Sequence, residues 1–137
     1  MPTAVSISYF AVIVAAIVKF AIGAAWYSPA LFAKQWQSLI GLTEAQVRAG
    51  LVPALVAEAV GDLIMAYVLA RFVAHYGAGG IGGGLLIGFM AWLGFVATVM
   101  ANQIFYERKP QQLVVINGGY MLVSLLVMGA IFGVWHG

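Results

Sequence analysis

The sequence predicts an all-α fold, an integral membrane four-helix bundle with an interfacial amphipathic helix between its first and second spans. Three observations lead there. Of 137 residues, 64% are hydrophobic and only 7% are charged, whereas a soluble domain carries about 25% charged residues. The apolar residues gather into four runs, each matching the roughly 20 residues that cross a hydrocarbon core. Gly, Pro and charged clusters separate the runs, and in lipid each run must satisfy its own amides, which makes it a helix.

The first span is expected from about Ala4 to Tyr27. It has no Lys or Arg ahead of a long apolar stretch, which argues for a span rather than a cleaved signal. The connection that follows, about residues 28–50, carries its own order. Ser28-Pro29 predicts a cap followed by a first helical turn, with Leu31, Phe32, Trp36, Leu39 and Ile40 on one side of a helix ending near Gly41. That pattern suits a helix lying in the membrane interface. Trp26, Tyr27 and Trp36 form an expected aromatic belt at headgroup level. Thr43 and Gln46 have capping-box spacing for a second short helix, Glu44 to Ala49, closed by Gly50.

The second span is expected from about Pro53 to Tyr76, the third from about Ile81 to Phe105 and the fourth from about Leu113 to Trp135. Glycines 77, 79 and 80 predict a tight reversal between the second and third spans. Glu107-Arg108-Lys109-Pro110 predicts another, with Pro110 opening the fourth span. Gly80, Gly84 and Gly88, and again Gly129 and Gly133, recur at GxxxG spacing. They allow close backbone approach within the chain or between subunits.

Lys34, Arg48, Arg108 and Lys109 fall on one side of such a bundle, against Arg71 on the other. The positive-inside rule then places both termini outside the cytoplasm. With six Lys and Arg in all, the chain has no nucleic-acid footprint. It also has no cysteine, no nucleophile beside a base and no phosphate loop, so neither an enzyme nor a cofactor or metal protein is expected. His75 and His136, at the outer ends of two spans, are read as solvated rather than as a bis-imidazole site.

The most informative residues are ionisable ones inside spans, Lys19, Glu58 and Asp62. Each costs about 2.5 to 3.5 kcal/mol at a helix centre unless paired. At 1.5 Å per residue Lys19 lies about 12 Å from the end of its span, and Glu58 and Asp62 about 8 and 14 Å from the start of theirs. Those ends face the same compartment, so all three share one layer. Asn102 and Asn117 are expected to border it, with Thr98 and Ser124 deeper on the same stripes. Small residues beside Lys19 and before Asn102 turn these stripes toward other helices. One lysine against two carboxylates leaves one negative charge in excess. Either a proton resides on Asp62, or a cation or second partner occupies the site.

Two functions follow. In one, Lys19, Glu58 and Asp62 form the ion or proton site of a small proton- or cation-linked transporter or channel, oriented by Asn102 and Asn117. In the other, a Lys19–Glu58 ion pair and a neutral Asp62 bonded to Asn102 or Asn117 hold the helices in register. The protein is then a non-catalytic scaffold that binds lipid or a protein partner. Either version is expected to live in the lipid bilayer as a homo-oligomer.

Trp26-Tyr27-Ser28-Pro29, then Phe32, Lys34, Trp36 and Gly41, and later Asn102, Phe105, Asn117, Tyr120, Gly129 and Trp135, resemble the small bacterial membrane proteins grouped as domain of unknown function 1761. The resemblance spans nearly the whole chain, and the WYSP-centred stretch is its most specific part. It implies a compact multi-helix protein of the bacterial inner membrane, with no activity, cofactor or catalytic residue to carry over.

Overall fold

A computed structural model of the chain describes residues 7–76 and 79–135. Part of the predicted glycine turn (Gly77), the first residues of the predicted first span, and His136 lie outside them. Among the described residues the chain is helical with no strand. Four helical rods are long and apolar enough to cross a membrane: Tyr9–Trp26, Leu51–Tyr76, Gly80–Phe105 and Gln111–Val134.

Helix α1 (Tyr9–Trp26) starts later than expected because the Ser8 side chain accepts the Ala11 amide at 3.2 Å and fixes the N-terminus there. At the other end Ser28 does not cap a new helix. Its hydroxyl turns back and donates to the Ala25 carbonyl at 2.7 Å, closing α1 instead. Residues 29–32 are therefore a turn, held by Leu31 and Ala33 amides on the Ser28 carbonyl. Helix α2 (Ala33–Ile40) begins without a side-chain cap and ends at Gly41, whose φ of +76° is the left-handed conformation that favours glycine. Helix α3 (Glu44–Ala49) has the expected capping box. The Gln46 amide donates to Thr43 Oγ1 at 3.1 Å, and the Thr43 amide to Gln46 Oε1 at 2.8 Å.

Helix α4 (Leu51–Tyr76) follows directly, with Pro53 in its first turn, where no amide is needed. The third rod runs as α5 (Gly80–Trp92), a π-helical stretch (Leu93–Ala97) and α6 (Thr98–Phe105). Pro110 then stands just before α7 (Gln111–Val134) rather than within it.

Helix α7 is the centre of the bundle and touches α1, α4 and α5. Its seam with α5 is made of glycine. A Cβ at Gly84 would collide with the Gly129 carbonyl, one at Gly133 with the Gly80 carbonyl, and one at Gly88 with the Leu125 carbonyl. The GxxxG steps therefore meet each other within one chain. On its other side α7 sends Leu125, Met128 and Phe132 against Ala11, Ala15 and Ala16 of α1 and Ala66, Leu69 and Ala70 of α4. Small residues on α1 and α4 let the three helices come together around the polar layer.

Candidate functional site: a buried lysine with two carboxylates and a tyrosine

Lys19 stands about two turns before the end of α1, and Glu58 about two turns after the start of α4. Because α1 and α4 run in opposite directions, the two side chains meet. Lys19 Nζ lies 3.0 Å from Glu58 Oε2 and 2.6 Å from Asp62 Oδ1. Glu58 and Asp62 are four residues apart on one face of α4, so a single ammonium reaches both.

Tyr120 of α7 supplies the third acceptor, its hydroxyl 2.8 Å from Lys19 Nζ. All three ammonium protons thus have a partner. The same hydroxyl donates to Glu58 Oε2 at 2.7 Å, and its ring lies under the ammonium, 4.5 Å from Nζ to the ring centroid. Gly23 makes room for it, since a Cβ there would stand 2.9 Å from Tyr120 Oη. Three helices are joined at one lysine.

The cluster is unevenly covered. The Lys19 and Asp62 side chains are 4% and 2% exposed, whereas Glu58 is 39% exposed. Asp62 Oδ2 is buried with no hydrogen-bond partner, and Ser124 Oγ is buried in the same condition. Ser124 sits one turn beyond Tyr120 on α7, as Asp62 sits one turn beyond Glu58 on α4. The two helices run in the same direction, so each orphaned oxygen lies one turn further along its helix than a member of the cluster. With Lys, Glu and Asp all ionised, the group carries one net negative charge.

The asparagines part company. Asn117 reaches the edge of the cluster, where its Oδ1 accepts the Tyr27 hydroxyl at 2.6 Å, and the Tyr27 ring meets Tyr120 edge to face at 5.5 Å. Asn102 does not take part. Its side chain is exposed, and its carbonyl receives the Tyr106 and Glu107 amides as α6 ends. The cause is the π-helical stretch. Gly84 and Gly88 of α5 face α7, but the wide turn at Leu93–Ala97 rotates everything after it, so Phe95, Thr98 and Asn102 leave that face. Thr98 instead returns its hydroxyl to the Gly94 carbonyl at 2.8 Å.

The aromatic residues of the first connection are tied to α7. Trp26 Nε1 donates to the Ile116 carbonyl at 2.9 Å, and its ring packs on Phe32. Trp36 packs edge to face on Tyr27. Trp26, Tyr27 and Trp36 therefore form a cover over the α1–α7 end of the cluster.

Tyr120 and Tyr27 are the participants that sequence reasoning about charge passed over. The signal was present: Tyr120 shares a helical stripe with Asn117 and Ser124, three residues from one and four from the other.

A family model described as "Protein of unknown function (DUF1761)" matches residues 10–133, which include all four rods nearly end to end and every member of the cluster. No curated protein and no solved structure matches the chain. The resemblance carried by the WYSP stretch is thereby established, and the chain belongs to the DUF1761 family.

Proposed function

We propose that the chain is a multi-pass membrane protein whose Lys19, Glu58, Asp62 and Tyr120 cluster takes up and releases one proton during the movement of a proton or small cation. The observation that carries this reading is the state of Asp62: buried, with one oxygen on Lys19 at 2.6 Å and the other without a donor. Lys19 has no fourth N–H to offer. A proton on Oδ2 would both cancel the excess charge and turn that oxygen into a donor. Glu58, part exposed and bridged to Asp62 by the lysine, is the group through which the proton would arrive.

The rest of the reading follows the same physics. In a bilayer the rods span, Trp26, Tyr27 and Trp36 sit at headgroup level, α2 lies in the interface, and both termini stand outside the cytoplasm. Asn117 serves as an orienting group through Tyr27, and a homo-oligomer in an inner membrane remains part of the proposal.

A second reading has its own support. The saturated ammonium and the Tyr120 bridge join α1, α4 and α7 at one point, which is what a structural lock in a scaffold protein requires. The two separate in proteoliposomes carrying a pH-sensitive dye and an imposed proton gradient. A transport site predicts protein-dependent proton movement that Asp62→Asn abolishes. A lock predicts no such movement in the wild type and only a loss of stability in the variant.

A further inference from the structure

An apolar groove of about 350 Å³ opens between α4 and the π-helical stretch. Gly61, Met65 and Phe72 line it along α4, Phe95 and Val96 line it from the π turn, and Leu125 of α7 closes its inner side. Its origin is local. Helices α4 and α5 are neighbours in sequence but touch little, the π turn throws Phe95 outward to 69% exposure, and a Cβ at Gly61 would meet nothing within 4 Å. The volume falls within the range of about 300 to 1,000 Å³ typical of ligand pockets.

Glu58 stands one turn beyond the Gly61 end of the groove. Residues 58, 61, 65 and 72 recur along α4 at helical spacing, so Glu58 continues the stripe that Gly61, Met65 and Phe72 begin. It stands at the border between this stripe and the core face that carries Asp62, which accounts for its being bonded to Lys19 while 39% exposed. From Gly61 to Phe72 the groove runs about 17 Å along the helix axis. An apolar groove of that length, with an acid one turn beyond it that belongs to a cluster with one carboxylate too many, describes the complement of an amphiphile with a cationic head.

We propose that the groove and Glu58 together bind a single-chain lipophilic ammonium, its chain along Met65, Phe72 and Phe95 and its head at Glu58. Two features select this occupant. An ammonium brings the cluster to two positive and two negative charges, whereas a neutral lipid tail or a second copy of the chain leaves the excess in place. Asp62 Oδ2, buried and without a donor, shows by a route independent of counting charges that the carboxylates of this cluster are incompletely satisfied. The inference rests on the reading above, since both require the cluster to accept one positive charge from outside.

The full chain in phosphatidylcholine nanodiscs, titrated with radiolabelled dodecyltrimethylammonium, tests it. Saturable binding is expected that unlabelled dodecyltrimethylammonium displaces and dodecanol, the neutral molecule with the same chain, does not. Glu58→Gln should weaken it by at least about tenfold, and Gly61→Leu, which fills the groove without touching the charges, should do the same. Equal displacement by dodecanol, binding unchanged in both variants, or a change of oligomeric state in Gly61→Leu in place of lost binding overturns the proposal. If the wild type fails to bind the ammonium but still moves protons in an Asp62-dependent way, this inference falls and the proton site stands. If neither is seen, both fall.

Discussion

Lys19 Nζ and Asp62 Oδ1 stand 2.6 Å apart at a site where both side chains are almost fully buried. Removing one partner of a buried pair leaves the other charge uncompensated, at a cost of about 3 to 5 kcal/mol. Lys19→Met should therefore destabilise the detergent-solubilised protein by about that much, read as a fall in its thermal unfolding midpoint. Adding Asp62→Asn and Glu58→Gln to the same chain should recover most of the loss, because no unpaired charge then remains.

Tyr120 acts on the same lysine through its hydroxyl. Tyr120→Phe keeps the ring under the ammonium but removes the acceptor for Nζ and the donor to Glu58, and a lost buried hydrogen bond costs about 1 to 3 kcal/mol. A smaller fall in unfolding midpoint than for Lys19→Met is expected. No fall at all would mean that the ring, not the hydroxyl, matters.

The α5–α7 seam predicts a sharp contrast between glycines. Gly84→Ala drives a methyl group into the backbone carbonyl of Gly129, which cannot rotate away, so the helices must separate at a cost of about 3 kcal/mol or more. Gly82→Ala, on an open face of the same helix, should be neutral or stabilising by up to about 1 kcal/mol. Parallel unfolding curves of the two variants check it.

Trp26 ties the first connection to α7. Trp26→Phe preserves the ring contact with Phe32 but deletes the hydrogen bond to the Ile116 carbonyl, worth about 1 kcal/mol. Faster amide hydrogen exchange in residues 28–41, with exchange in α5 unchanged, is the expected result.

Much of this fold was legible because long apolar runs leave a chain few choices. Long apolar runs bounded by glycine, proline and charge defined four rods, and the Thr43–Gln46 spacing placed α3 to the residue. Depth counting brought Lys19, Glu58 and Asp62 into one layer, since rise per residue is nearly constant in a helix. What counting did not carry was rotation. The π-helical stretch at Leu93–Ala97 has no signature in the local residue pattern, and its wide turn rotates Asn102 off the shared face. Ser28 presents the opposite difficulty: its hydroxyl can serve the helix before it or the one after it, and only the folded geometry chooses Ala25. Tyr120 was overshadowed because it carries no charge in the sequence, although it sits on a polar stripe.

The central claim is that the buried cluster takes up a proton on its carboxylates, and infrared difference spectroscopy of the reconstituted protein between mildly alkaline and acidic pH measures that event directly. A carboxylic-acid carbonyl band that grows on acidification in the wild type and is lost in Asp62→Asn is the predicted result. An unchanged band in Asp62→Asn, or no band that grows on acidification, would contradict it.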